Sequence, residues 1–118
     1  MTEFDELSYD ELKSLLQKNS DSQYDIKREI KLVNLAEEKS MQMIEKDRKA
    51  VEFLFDGWTG EAAEKYISES IDETDMFKKQ LFHLYSQEQD RLLEERRRLE
   101  NEEEEILRTI TNKNNEGE

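Results

Sequence analysis

The feature that most limits what this chain can fold into is the near absence of helix breakers. Its 118 residues include no proline and three glycines, which are Gly57, Gly60 and Gly117. Proline and glycine are the residues that weaken or end a helix most strongly. Two long stretches are therefore free to form helices, one on each side of residues 57–60. A chain of this length suits a single domain.

Composition excludes a thick globular core. Hydrophobic residues make up 34% of the chain and charged residues 42%, which leaves either disorder or elongated helices that share a narrow apolar seam. Helical periodicity favours helices, because Tyr85, Leu92, Leu99 and Ile106 recur at every seventh position. We predict an all-α antiparallel helical hairpin with its turn at 57–60, which assembles into a four-helix bundle or coiled coil.

The same patterns predict three segments. Residues 1–20 should form a short extra N-terminal helix that Ser8 caps, and a polar break at 19–22 should follow it. The hairpin should span 21–111. Its first helix should run from about Tyr24 to Asp56, and its second should begin after Gly60 and run to about Ile110. Residues 112–118 should be a disordered tail.

The charged end of the second helix has a thin seam, so we expect it to be poorly anchored. Leucines of the short first helix, Leu12, Leu15 and Leu16, could cover Leu99 and Ile106 there. The run of three arginines at 96–98 lies among glutamates, which predicts a solvated helix face with ion pairs inside the helix.

Charge and hydropathy limit the kinds of partner that the protein can bind and the places in the cell where it can be found. A net charge of −13 opposes binding to nucleic acid or to anionic lipid. The N-terminus is acidic rather than basic and then apolar, and no apolar run reaches the roughly 20 residues of a membrane span. We expect no membrane insertion, and a protein that is cytoplasmic or is secreted without a cleaved signal peptide.

Nothing in the sequence predicts an enzyme. The chain has no cysteine and one histidine, His83, so it lacks the ligands of a transition-metal site. It also lacks a nucleophile–base pair and a glycine-rich phosphate loop. We expect no catalytic residue, no cofactor and no metal site.

The segment Trp58-Thr59-Gly60-Glu61-Ala62-Ala63-Glu64-Lys65-Tyr66 reads as a helix–turn–helix connection. Gly57 and Gly60 permit backbone angles that other residues resist. Thr59 could cap the second helix. The two alanines would allow close approach of the helices. Trp58 would lie across the mouth of the hairpin, either buried against Phe53 or Phe55 or half exposed as an anchor for a partner.

These residues closely resemble the WXG family of small helical-hairpin proteins, which are substrates and partners of the type VII secretion system of Gram-positive bacteria. The family pattern is a central tryptophan, any residue and a glycine, followed by small residues and then an aromatic residue eight positions after the tryptophan. The matching positions are Trp58, Gly60, Ala62, Ala63 and Tyr66. The resemblance implies a hairpin that pairs with a second helical protein.

Two departures refine the resemblance. The chain is longer than the family's usual length, and the export motif, a tyrosine followed four positions later by Asp or Glu, is absent, since Ser70 follows Tyr66 and Gln89 follows Tyr85. Its length and charge are similar to those of helical partners of LXG-type toxins. The implied function is that of a secreted substrate, or of a targeting partner or chaperone that pairs with the helical N-terminal domain of such a toxin.

Pairing could also be with a second copy, as a homodimer. We expect the partner interface to use apolar residues near the turn and along the second helix, namely Phe53, Phe55, Phe77, Leu81, Tyr85, Leu92 and Leu99. A different class of function also fits the pattern. A cytosolic coiled-coil scaffold or adaptor, unrelated to secretion, could contain the same Trp-Thr-Gly turn by coincidence.

Overall fold

A computed structural model describes residues 3–116 of the chain. It contains two α-helices in this range and no strand: α1 spans Tyr9–Leu54 and α2 spans Glu61–Glu116. Neither helix holds, among the described residues, a stretch long and apolar enough to cross a membrane. The prediction of an all-α chain that reverses around residues 57–60 is confirmed.

The ends of the helices differ from the prediction. α1 begins at Tyr9 and continues through residues 19–22, so there is no separate N-terminal helix. Side-chain bonds at i,i+4 spacing span the expected break: Gln17 Nε2 donates to Asp21 Oδ1 at 3.0 Å, and Gln23 Nε2 donates to Asn19 Oδ1 at 2.7 Å. Polar residues that favour a turn in isolation are here held on a continuous helix.

Ser8 caps α1 as predicted. The backbone N–H of Glu11 donates to Ser8 Oγ at 3.2 Å, which satisfies one of the free donors of the first turn. The cap of α2 differs, because α2 begins at Glu61 and the Gly60 carbonyl accepts the N–H of Glu64 at 3.0 Å. Gly60, not Thr59, therefore occupies the capping position.

α2 extends further than the sequence predicts, through residues 112–116. The expected disordered tail is wrong for these residues, while Gly117 and Glu118 lie outside the described range. Packing explains the extension, because Thr109 is buried and Ile110 packs on the core at this end.

Contacts divide the chain into two compact units, which we call the terminal unit (Met1–Lys31 with Asp90–Glu118) and the central unit (Leu32–Gln89). The terminal unit has a core formed by Phe4, Leu12 and Ile106. Partly buried hydrophobic residues pack around this core: Leu7, Leu15, Leu16 and Ile110. The prediction that the first-helix leucines cover Ile106 is confirmed, and the expectation of a poorly anchored end is wrong.

A buried polar network completes the terminal unit. Asn19 is 2% exposed, and its Nδ2 donates to the Leu99 carbonyl at 2.9 Å and to Glu102 Oε1 at 3.1 Å. Gln23 Nε2 donates to Glu103 Oε2 at 2.6 Å. These bonds satisfy an amide that would otherwise destabilise the seam.

The three arginines at 96–98 lie on the predicted solvated face. Arg96 Nε pairs with Glu100 at 3.0 Å, and Arg98 pairs with Glu95 and, at 3.6 Å, with Glu102. The hydrogen bond from Arg98 lowers the pKa of the Glu95 carboxyl below its usual value. The prediction of ion pairs inside the helix is confirmed.

In the central unit, α1 and α2 run antiparallel. Ser40 Oγ and Tyr85 Oη lie 2.8 Å apart, and Gln89 Nε2 donates to Asn34 Oδ1 at 3.0 Å. In an antiparallel hairpin centred between residues 58 and 59, Ile44 and Glu73 are equally far from the turn and should lie level. In the structure they line one groove.

Spin labels should report this reversal directly. With labels at Lys39 and Lys78, both in the central unit, we expect a distance well under half of the roughly 58 Å that separates two positions 39 residues apart on one straight helix. Pulsed electron resonance of the double-cysteine variant would measure it. A distance close to the straight-helix value would contradict the antiparallel arrangement.

Candidate partner-binding surface

The turn between the helices depends on its two glycines. Gly57 and Gly60 have φ angles of +84° and +115°, a region that residues with a side chain rarely adopt. The Trp58 N–H donates to the Phe55 carbonyl at 3.0 Å. Both glycines that the sequence singles out are therefore required by the backbone of the turn.

An aromatic cluster lies directly beside these glycines. The rings of Phe55 and Trp58 stack with centroids 4.8 Å apart, and Tyr66 approaches them at 5.3 Å and 6.1 Å. Trp58 remains 49% exposed, so the cluster is a half-open cap. Stacked and edge-to-face contacts at these distances are favourable.

The two alanines of the motif differ in their environment. Ala63 is 2% exposed whereas Ala62 is exposed. A buried alanine in the first turn of α2 leaves little room between the elements that it contacts, so a larger side chain there would overpack the site. The motif residues Trp58, Gly60, Ala63 and Tyr66 thus lie together at the turn.

The predicted interface residues separate into two groups. Phe53 and Phe77 are largely exposed, Leu81 and Tyr85 are half-buried between the helices, and Phe55 belongs to the aromatic cluster. Two others, Leu92 and Leu99, are buried inside the terminal unit. Their side chains already pack within the chain, so we remove them from the candidate interface.

Exposed hydrophobic residues concentrate in the central unit. They include two sets of residues, one on each helix. Successive members of a set are separated by eleven or seven residues, which is about three or two helical turns, so each set lies along one side of its helix as a stripe. The stripe on α1 contains Leu32, Met43 and Leu54, and the stripe on α2 contains Tyr66, Phe77 and Leu84. We call these six residues the apolar face.

One open groove joins the two stripes, because Leu32 of α1 and Leu84 of α2 both border it. Phe77 borders a second open groove, beside Ile44. An exposed apolar surface of this kind marks a binding region more often than chance exposure.

Sequence reasoning missed four of the six residues of this face, namely Leu32, Met43, Leu54 and Leu84. A signal for the α1 stripe is present in the sequence. Residues at alternating steps of four and three form a second stripe beside the one that packs inside the chain. It includes Leu32 and Met43 and ends next to Leu54: Leu32, Ala36, Lys39, Met43, Lys46, Ala50 and Phe53. Because four of these seven residues are lysine or alanine, the stripe is not recognised as apolar from hydropathy alone.

Comparisons with known proteins add no assignment: no protein-family model, no curated protein and no solved structure matches the chain.

Proposed function

We propose that this protein is a WXG-type helical partner of type VII secretion, which binds the helical N-terminal domain of an LXG-type toxin and accompanies it as a targeting partner or chaperone. The observation that carries the proposal is the apolar face of the central unit. Two helices leave it uncovered, and a second helical hairpin would bury it by completing a four-helix bundle.

Three further features support this proposal. The terminal unit has a buried core of its own, and most of the exposed large hydrophobic residues lie in the central unit. The central unit is therefore where a partner would gain most from hydrophobic burial. The motif residues Trp58 and Tyr66 form a half-open aromatic cap next to that face. The absent export motif is compatible with a protein that leaves the cell only together with its partner.

The test is a secretion assay in the bacterium that encodes the protein. Deleting the gene should reduce export of the toxin encoded beside it, and Trp58→Ala should do the same while the protein stays helical by circular dichroism. Trp58 is half exposed, so its loss removes an aromatic anchor but leaves the terminal core intact.

Tyr24→Ala is a matched control, since Tyr24 is an exposed aromatic residue of the terminal unit. It should leave export unchanged. Two results together would contradict the proposal: the deletion strain exports every neighbouring toxin normally, and the protein forms no complex with any of them.

A further inference from the structure

The apolar face contains one groove that is not wholly apolar. It is lined by Ile44, Asp47, Glu73, Thr74 and Phe77. Asp47 comes from α1 and Glu73 from α2, so each helix contributes one acidic residue to the groove, beside Ile44 and Phe77. Both acidic residues are exposed, and neither has an ion-pair or hydrogen-bond partner within residues 3–116.

Covering this groove with the wrong side chain would be unfavourable. A purely apolar helix would take Asp47 and Glu73 partly out of water without compensating bonds, which destabilises a complex. An acidic side chain would add repulsion between like charges. A basic side chain forms charge-assisted bonds to both carboxylates while its aliphatic stem packs on Ile44 and Phe77.

Phe77 adds a second contribution. Its ring is more than half exposed and borders the same groove, so a guanidinium held between the carboxylates can also lie against the ring. The planar guanidinium of arginine suits two carboxylates and an aromatic ring better than the compact ammonium of lysine.

The position of the neighbouring groove determines the spacing between the two side chains that a partner helix would insert. It is lined mainly by apolar residues, among them Leu32, Leu81 and Leu84, and therefore suits a large aliphatic side chain. Leu84 lies eleven residues from Glu73 along α2, or roughly 16 Å. Eleven residues are three helical turns, so a partner helix can place one side chain in each groove from the same side.

We propose that the partner helix inserts an arginine between Asp47 and Glu73 and a large aliphatic residue, eleven positions away, into the groove beside Leu84. The inference rests on the proposed function in that it takes the apolar face as the surface that binds a helical partner. It adds the chemistry that selects the partner, which is a protein different from this chain.

Two synthetic peptides test the selection. Each is an amphipathic helix of about 25 residues, long enough to be helical in water, with leucines along one side and one variable position eleven residues from a leucine. That position is arginine in one peptide and citrulline, its neutral isostere, in the other. Fluorescence anisotropy with the full-length protein should show the arginine peptide binding roughly tenfold more tightly.

Variants of the protein identify the groove. The double variant Asp47→Asn, Glu73→Gln should bind both peptides equally. The control Glu38→Gln, Asp72→Asn changes the same charge at two exposed positions on the same helices, and it should retain the preference for arginine. Equal binding of both peptides to the unmodified protein, or binding of neither, would overturn the inference.

Two further outcomes separate the inference from the proposed function. If a neighbouring toxin's helical domain binds the unmodified protein and the Asp47→Asn, Glu73→Gln variant equally well, the arginine site is wrong and the function stands. Light scattering of the protein alone tests whether a second copy of this chain occupies the apolar face. A dimer that this double variant dissociates would show that the occupant is this chain itself, and would contradict the commitment to a different protein.

Discussion

Replacing Ile106 with alanine should lower the free energy of unfolding by about 2–5 kcal/mol. Ile106 is fully buried and forms the core of the terminal unit with Phe4 and Leu12. The substitution removes buried apolar atoms and leaves a cavity that its neighbours fill only in part. Urea denaturation followed by circular dichroism would measure the change.

The adjacent residue is the matched control. Leu107 is 45% exposed, so Leu107→Ala deletes a side chain of the same volume without opening a cavity, and alanine is the better helix former. We expect a loss of less than about 1 kcal/mol for it. Equal losses for the two variants would contradict the assignment of Ile106 to the core and Leu107 to the surface.

Substitution of Gly60 should destabilise the turn through the backbone alone. Its φ is +115°, and a Cβ added there would meet no atom within 4 Å. Gly60→Ala therefore causes no clash with neighbours, and its cost is that of holding an L-residue in a region it rarely adopts, about 1–3 kcal/mol. Thermal unfolding would report the loss as a lower Tm.

A mirror-image residue provides the control. D-Alanine, introduced by chemical ligation, favours positive φ and also restricts the unfolded chain more than glycine does. It should be neutral or stabilising at residue 60, because its preferred φ has the same sign as the φ of +115° that Gly60 adopts. A D-alanine variant as unstable as the L-alanine variant would mean that something other than the φ angle limits this position.

The course of the chain could be predicted from the sequence because one feature determines it. With no proline and two central glycines, the chain had a single place to reverse, and the structure has positive φ at both Gly57 and Gly60. The sequence groups Trp58 and Tyr66 in one motif, whereas the contact between their rings, with centroids 6.1 Å apart, comes from the structure.

The ends of the helices could not be predicted, because their stability comes from contacts between distant residues. Asn19 reads locally as the end of a helix, yet it bonds to Leu99, 80 residues away. Leu92 and Leu99 look too sparse to anchor α2, and so looked available to a partner. In the structure both are buried, which moves the candidate interface to the central unit.

Counting outward from the turn predicts which residues of α1 and α2 lie level, but it does not predict which side chains border a groove of the apolar face. Asp47 and Glu73 are unremarkable acidic residues within a strongly acidic chain. Only the pairing of the helices brings them to one groove beside Phe77. This is why sequence reasoning found Phe77 as an interface residue but not the carboxylates next to it.

The buried amide of Asn19 has a consequence for the alignment of the two helices. Seam residues repeat every seven positions on both, Leu12, Asn19 and Ile26 on α1 against Leu92, Leu99 and Ile106 on α2, so a slip by one heptad would preserve most apolar contacts. The observed alignment places Asn19 and Gln23 against the adjacent carboxylates of Glu102 and Glu103.

Neither shifted alignment offers two such acceptors. Seven residues earlier the chain has Glu95 and Arg96, and seven residues later it has Thr109 and Ile110. A slip in one direction would set the Gln23 amide against a guanidinium, and a slip in the other would set it against a hydrocarbon side chain. Buried polar residues can specify register in paired helices, and here two amides favour the alignment that the glycine turn also permits over either shifted one.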